Sequence, residues 1–402
     1  MARLAVAIAL AAALFGTGIA APANAGKAAV SIPFTRYKAS PNWKEAVTAD
    51  KTRALHLTNK SKANTDAAVS DAASFPAINE DFSYISQVTV GTQTFDLIVD
   101  TGSSNTWVGA GTKYKAGSTS KSTGDSVSVS YGSGSFSGTE YTDSVSLGSG
   151  FTITAQSIGV ASTATGFSGV DGIIGFGPDD LTEGTVSNTN VVPTVVDNAY
   201  TQGLISSKVL GVYFDPLSGS ETTATNGELT LGGVDSSKYT GSITYTPITS
   251  TSPSNAYWGI NISKIAYGTT TVSSSSLPGI VDTGTTLIYF QTSTYKALYK
   301  NVPGYTLDSN TGLVKIPASS YSGLKNVVLT IGGTSFTLTP AEYILPQAQV
   351  ASWGGVAGNY YSLIGDLGTG DGLDFILGQK FLENYYSVFD TTNSRVGLAT
   401  RA

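Results

Sequence analysis

The residues in this chain best suited to chemistry are two aspartates in matching surroundings. Asp100 stands in Ile98-Val99-Asp100-Thr101-Gly102-Ser103-Ser104, and the pattern returns as Ile280-Val281-Asp282-Thr283-Gly284-Thr285-Thr286. A single D-[ST]-G tripeptide is a weak signal, because those residues suit any turn. Two copies, each led in by an apolar run that reads as a buried strand, say more. Such strands deliver both aspartates to an interior where an ionised carboxylate is costly unless hydrogen-bonded. Two carboxylates held close cannot both ionise freely, so they share a proton, one serving as general base and the other as general acid. A water between them can attack a carbonyl while the protonated partner bonds the developing oxyanion. The hydroxyls of Thr101 and Thr283 are placed to tie the two loops together, and Ser103 and Thr285 to hold the outer carboxylate oxygens.

The elements around these loops read as short strands. An apolar pair before glycine follows each copy, Ile173-Ile174-Gly175 after the first and Ile376-Leu377-Gly378 after the second. The order is the same twice, which points to an internal duplication. Ser126 to Tyr131 alternates with period two, Gly132-Ser133-Gly134 turns the chain, and Phe136 resumes the pattern. That is a hairpin with Tyr131 near its tip. Two helices are expected, Pro193 to Gln202 and, starting at hydroxyl caps, Thr292 to Lys300. With 46 glycines and only 12% charged residues against 41% apolar ones, the chain reads as all-β with a substantial core. Its 402 residues suggest more than one unit, and crowded Thr, Ser and Pro put the boundary near Tyr245 to Ser254.

Composition excludes several chemistries. The chain has no cysteine and one histidine, His56, so thiol catalysis, disulfides and cysteine-ligated metals are out. The N-terminus reads as a secretory leader over residues 1–25: Arg3, an apolar run from Leu4, and the small-residue triplet Ala23-Asn24-Ala25. Residues 26–71 then carry eight basic and four acidic residues, a net of +4, while 72–402 carries 13 basic and 24 acidic, a net of −11. A basic arm on an acidic body, in a secreted chain, reads as a removable segment rather than a nucleic-acid binder. If it is cut away between Ala67 and Phe75, His56 goes with it and catalysis rests on carboxylates, hydroxyls, lysines or a borrowed ion.

Together these motifs resemble the pepsin family, secreted fungal acid proteases in particular, from about Phe75 to Ala402. The match includes Asp100 to Val108, Asp282 to Thr286, the flap-like Tyr131-Gly132-Ser133-Gly134-Ser135, Asp171 to Gly177 and Tyr385 to Asp390. The resemblance implies a bilobal fold, two related β-rich lobes (72–248 and 249–402) around a central cleft with a few short helices. It implies an endopeptidase active in acid, with Asp100 and Asp282 as the catalytic pair. Tyr131, Gly132, Ser133, Gly102, Gly284 and Thr285 would bind substrate backbone. Thr101, Ser103, Thr283 and Trp107 would support the site, with the Trp107 indole bonding the Tyr131 hydroxyl. Ile98, Phe167, Ile173 and Ile280 are candidates for apolar pockets or simply core. No metal or cofactor is implied, and no nucleic-acid or membrane partner. The expected partners are protein and peptide substrates and the chain's own prosegment, acting as an intramolecular inhibitor of a monomer.

The resemblance also implies that Ser31 to Arg36 opens the prosegment as a strand, and that a lysine, Lys60 or Lys62, neutralises the aspartates until acid releases the arm. Acid is expected to protonate carboxylates on the body whose pairing depresses their pKa values, so attraction to the arm is lost as pH falls through those values and the arm is cut off. Ser133 is not acidic, which favours apolar and aromatic residues around the scissile bond. Asn261-Ile262-Ser263 and Asn59-Lys60-Ser61 are glycosylation sequons. Two other classes compete: a glycosidase, which also uses paired carboxylates but needs no duplicated D-T-G loop, and a binding protein on the same fold. Intact loops and flap weigh against the second.

Overall fold

The computed structural model describes residues 29–37, 43–63, 83–148, 150–219, 221 and 224–402. The expected leader (1–25), the cleavage region (67–75) and the side chains of Lys60, Ser61 and Lys62 lie outside the described residues. Among the described residues the strands form sheets of 13, eight and three members. No helix among them is long and apolar enough to cross a membrane.

The repeated motifs prove to be one structural unit built twice. In the first half, strand Gln93–Asp100 runs parallel to Gly172–Gly175, with Val99 opposite Ile174. Strand Trp107–Val108 flanks Gly172–Gly175 antiparallel and runs parallel to Thr152–Thr165. In the second half, Leu277–Val281 runs parallel to Phe375–Leu377, which Ile288–Gln291 flanks antiparallel while running parallel to Ile364–Gly368. Parallel central strands are covered on both faces, so they read as unbroken apolar runs, and all four residues of Gly172–Gly175 are buried. The glycine after each apolar pair is required by close approach. A Cβ on Gly175 would lie 2.5 Å from the Ser104 carbonyl carbon, and one on Gly378 would lie 2.2 Å from the Leu287 oxygen.

Both ends of the described chain join the 13-stranded sheet. Strand Val30–Tyr37 inserts between Ala224–Leu231 and Ser83–Val90, as the strand expectation for Ser31 to Arg36 requires. It buries Ile32 and Phe34, and the Phe34 ring meets Tyr84 and Phe214 edge-on at 5.2 and 5.4 Å. Each such apolar side chain contributes about 1.5–3 kcal/mol. Strands Tyr385–Asp390 and Arg395–Arg401 return from the C-terminus to pair with Val209–Tyr213 and Tyr239–Pro247. The sheet therefore passes between the halves.

The helices depart from expectation at two points. Val195–Thr201 forms with Thr194 as its cap in a reciprocal capping box with Asp197. Thr292–Tyr299 forms too, but its cap residue is Gln291 with no side-chain bond, because the Thr292 hydroxyl donates to Asp366 instead. The longest helix, Trp43–Ala63, has no counterpart in the sequence reading. Its buried face is Ala46, Val47, Ala49, Asp50, Arg53, Ala54 and Leu57. Those positions keep helical spacing, yet two carry charge, so apolar periodicity is faint. A helix that faces a polar cleft loses the signature of one that faces a core.

Candidate active site

Asp100 ends its strand, Asp282 directly follows its own, and both are fully buried and meet the same guanidinium at the junction of the two sheets. Each is held the same way. Gly102 N–H donates to Asp100 Oδ1 at 2.9 Å and Ser103 Oγ to Oδ2 at 2.5 Å. Gly284 N–H donates to Asp282 Oδ1 at 3.0 Å and Thr285 Oγ1 to Oδ2 at 2.6 Å. Each carboxylate thus accepts a glycine N–H on Oδ1 and a hydroxyl on Oδ2, which fixes its plane and leaves further lone pairs for chemistry. Thr101 and Thr283 exchange bonds: Thr101 N–H donates to Thr283 Oγ1 at 2.9 Å and Thr283 N–H to Thr101 Oγ1 at 3.0 Å. The Thr283 hydroxyl passes its proton on to the Val99 carbonyl at 2.9 Å. Both threonines are wholly buried, so these bonds cannot be exchanged for water.

The glycines fix how near the loops come. A Cβ on Gly102 would lie 2.6 Å from Asp282 Oδ1, and one on Gly284 would lie 2.5 Å from Asp100 Oδ1. Each aspartate looks directly at the other loop's glycine. Any side chain there would push the pair apart.

A cation lies between the carboxylates, and it is an arginine. Arg53 Nη2 donates to Asp100 Oδ1 at 2.7 Å and lies 3.2 Å from Asp282 Oδ2, with Nε at 3.3 Å from the same oxygen. The expectation put Lys60 or Lys62 in this role; the base found there is Arg53, which helix Trp43–Ala63 presents about two to two and a half turns earlier. A planar guanidinium meets the two carboxylates with a rigid fork of N–H groups, whereas an ammonium would sit between them as a compact point charge. The pKa expectation is corrected as well. Burial raises the Asp100 carboxyl above its ordinary range, Arg53 pulls it down less than that, and the Asp282 charge adds to the rise.

The same helix fills the cleft around the pair. Asp50, also buried, accepts from Thr286 N–H at 2.5 Å and Leu287 N–H at 3.1 Å, in the strand-ward continuation of the second loop. Burial raises its pKa against those two bonds. Val47, Ala54 and Leu57 pack with Ile280, Leu287 and Tyr289 in one apolar cluster. Beside the helix a groove of about 430 Å³ remains, lined by Lys51, Leu55, Tyr295, Leu307 and Asp366 among others.

On the opposite side, strands Lys121–Ser130 and Ser135–Ser146 form the expected hairpin, with Ser130 paired to Ser135 and Tyr131 at the turn. Tyr131 N–H donates to the Gly134 carbonyl at 2.8 Å and Ser133 N–H to the Tyr131 carbonyl at 2.7 Å. The tip rests on the helix: a Cβ on Gly132 would lie 2.4 Å from His56 Cβ and 3.0 Å from the Thr52 carbonyl oxygen. Tyr131, Trp107, Phe136, Phe167, Ile98 and Ile173 form a second apolar cluster under the flap. Ile280 belongs to the first cluster, so the four pocket candidates line two sides of the cleft. The Trp107 and Tyr131 rings face each other at 6.3 Å. No bond of full hydrogen-bond geometry joins the indole N–H to the phenol hydroxyl, yet the indole lies near enough to act on that hydroxyl as expected, offsetting part of the rise that burial gives the Tyr131 pKa.

Asn261 lies on strand Gly259–Tyr267, half-buried, with its amide oxygen accepting from Thr249 Oγ1 at 3.1 Å. Among the described residues no group of three or more His, Cys, Asp or Glu side chains is placed to hold a metal ion.

Comparison with known proteins agrees with this geometry. A family model described as "Eukaryotic aspartyl protease" matches residues 83–401. Polyporopepsin of Irpex lacteus is 54% identical over 335 residues, spanning 82% of this chain and 97% of that protein. Rhizopuspepsin of Rhizopus chinensis is 33% identical over 414 residues, spanning 96% of each. The crystal structure of an aspartic proteinase from Irpex lacteus superposes with a TM-score of 0.78 at 47% identity, covering 93% of this chain and 98% of that one.

Proposed function

Because the chain belongs to the eukaryotic aspartyl protease family, we propose that Asp100 and Asp282 are its catalytic pair and that the form seen here is latent. The observation that carries the reading is the single guanidinium of Arg53 bridging two carboxylates that are otherwise identically held. In this reading residues 1–25 direct secretion, residues 26–71 are a removable prosegment, and helix Trp43–Ala63 is its inhibitory element. Peptide groups inside a helix already bond one another. The segment thus crosses the cleft without offering a carbonyl to the aspartates.

Removal of Arg53 leaves Asp100 Oδ1 and Asp282 Oδ2, the oxygens it bonds, facing a space that a water can enter. That such a pair shares one proton is established behaviour of aspartic proteases, not a deduction from this chain. The ionised aspartate takes a proton from the water as its oxygen attacks the peptide carbonyl. The protonated partner hydrogen-bonds the developing oxyanion, and a proton then passes to the leaving nitrogen. Thr101 and Thr283 keep the separation fixed through these changes. Tyr131, Gly132 and Ser133 close over the peptide, whose backbone also meets Gly102, Gly284 and Thr285. Ile98, Phe167, Ile173 and Ile280 flank the scissile bond and favour apolar and aromatic residues there.

Acid acts on the Arg53 bridge. The guanidinium favours the ionised form of Asp100, so its contribution to docking weakens as that carboxyl takes up a proton. A protonated pair leaves a buried cation without counter-charge, which is expensive. The enzyme is expected to act as a monomer. A glycan on Asn261 would attach at Nδ2 and leave Oδ1 free to keep accepting from Thr249 Oγ1.

The test is hydrolysis of acid-denatured haemoglobin by the activated chain, with and without pepstatin, beside an Asp100→Asn variant. Acid-dependent hydrolysis abolished by both is expected, with a loss of at least about 10²–10⁴-fold in the variant. Undiminished cleavage by Asp100→Asn would overturn the assignment.

A further inference from the structure

The two catalytic loops are joined by more than their threonines. Trp258, buried at 4% exposure, precedes strand Gly259–Tyr267. Its main-chain carbonyl accepts from Val281 N–H at 3.1 Å, and Val281 is the residue before Asp282. Its indole N–H reaches into the other half and donates to the Phe176 carbonyl at 2.9 Å. Phe176 in turn donates its N–H to the carbonyl of Asp100 at 2.7 Å. One residue therefore links the main chain before Asp282 to the peptide that is bonded to Asp100. Every donor and acceptor in that path is main chain except the indole nitrogen.

The duplication supplies an independent comparison. Gly259 pairs with Ile280 as Ile85 pairs with Ile98, so Tyr84 occupies in the first half the place of Trp258 in the second. Tyr84 is also fully buried, and its hydroxyl also crosses toward the other half, lying 3.4 Å from Glu383 Oε1 and 3.3 Å from the Asp215 carbonyl. A buried aromatic with a polar tip stands at both equivalent positions. Only the tryptophan's tip ends one residue from a peptide bonded to a catalytic aspartate.

We propose that Trp258 is a positioning residue for the aspartate pair, setting the separation of Asp100 and Asp282 through its indole bond to Phe176. The proposal rests on the reading of those aspartates as catalytic. Two coupled carboxylates titrate as a pair whose splitting depends on their separation, because the interaction between charges falls with distance. Loss of the indole bond lets the halves shift, so the splitting narrows and the near-attack geometry is degraded. The Phe389 ring, edge-on to the indole at 5.3 Å, keeps the side chain packed whether or not the N–H is present.

The experiment replaces the N–H and retains the ring, using enzyme activated from the full chain. Trp258→Phe removes the donor, benzothienylalanine at 258 removes it with the bicyclic shape kept, and fluorotryptophan retains it. Active sites are counted by pepstatin titration, and kcat and KM are measured across the acid range. The first two variants should lose roughly tenfold to a hundredfold in kcat with little change in KM, and the two limbs of the pH profile should move together. Fluorotryptophan should restore the wild-type profile. Wild-type kcat and limbs in the benzothienylalanine enzyme would overturn the proposal. So would a defect confined to the phenylalanine variant, since that assigns the effect to packing. Should Trp258→Phe fail to fold, the benzothienylalanine enzyme decides alone. Wild-type enzyme that is inactive, or indifferent to Asp100→Asn, would sink the underlying reading instead.

Discussion

Replacing Arg53 by methionine isolates the bridge to the aspartates. Methionine keeps most of the stem that packs between flap and second-half cluster, so the change removes charge and hydrogen bonds rather than volume. Breaking a buried ion pair by deleting one partner costs about 3–5 kcal/mol, because a buried charge is left uncompensated. Here the remaining charges belong to a pair that can take up a proton, so the lower end applies, about 3 kcal/mol. At 1.36 kcal/mol per decade that is roughly a 150-fold shift toward the undocked helix. Amide hydrogen exchange over residues 43–63 of the full-length chain, at near-neutral pH, should accelerate by about that factor. Hydrolysis of an apolar fluorogenic peptide at the same pH should rise with it. Arg53→Lys should fall between the two, since an ammonium keeps the charge but lacks the rigid fork of N–H groups. Exchange and latency unchanged in Arg53→Met would refute the reasoning and move the inhibitory role to the rest of the helix.

Three further outcomes test other parts of the site. Thr283→Val keeps the shape but strips the hydroxyl that serves both Thr101 N–H and the Val99 carbonyl; thermal unfolding should show a loss of about 1–3 kcal/mol, and no loss would mean the loops are held otherwise. Gly284→Ala would set a Cβ 2.5 Å from Asp100 Oδ1, so the activated enzyme should keep its fold by circular dichroism and lose nearly all activity. Glu140, buried in the flap hairpin and bonded to Ser157 Oγ at 2.6 Å, has its pKa pushed up to about 7 from 4.5, chiefly by burial and further by Asp125. The folded form then binds the extra proton between those values, so stability is full below 4.5 and falls as pH rises through about 7, by about 3 kcal/mol. Glu140→Gln should flatten that decline in urea unfolding measured at successive pH values, and an unchanged slope would place the sensitivity elsewhere.

The parts legible in the sequence are those in which one residue type does one local job. The paired D-T-G runs and the apolar pairs before Gly175 and Gly378 announced a duplicated unit, and the strands register as that duplication requires. Tyr131 at a hairpin tip followed from alternation and three turn residues. The helix over residues 43–63 was not legible, because its buried face meets carboxylates and main-chain N–H groups as well as apolar side chains. A spacing of Asp50, Arg53, Ala54 and Leu57 was the only signal, and charge at two of those places hid it. The identity of the bridging base escaped for the same reason, since basic residues are spread along the whole arm and their spacing does not say which one enters the cleft. Trp258 escaped because its role depends on a residue 82 positions away.

The sheet that passes between the halves has a consequence for how the protein is made. Its members include Val30–Tyr37 from one end of the chain and Tyr385–Asp390 and Arg395–Arg401 from the other. On the ribosome the first half therefore emerges with the Val209–Tyr213 edge bare, because its partner, Tyr385–Asp390, follows only far along the chain. Bare edges invite pairing with other chains, and pairings so distant in sequence form slowly. The halves cannot mature one after the other like beads on a string. A chain stopped before Tyr385 should accumulate as an aggregation-prone species however well its catalytic loops are encoded.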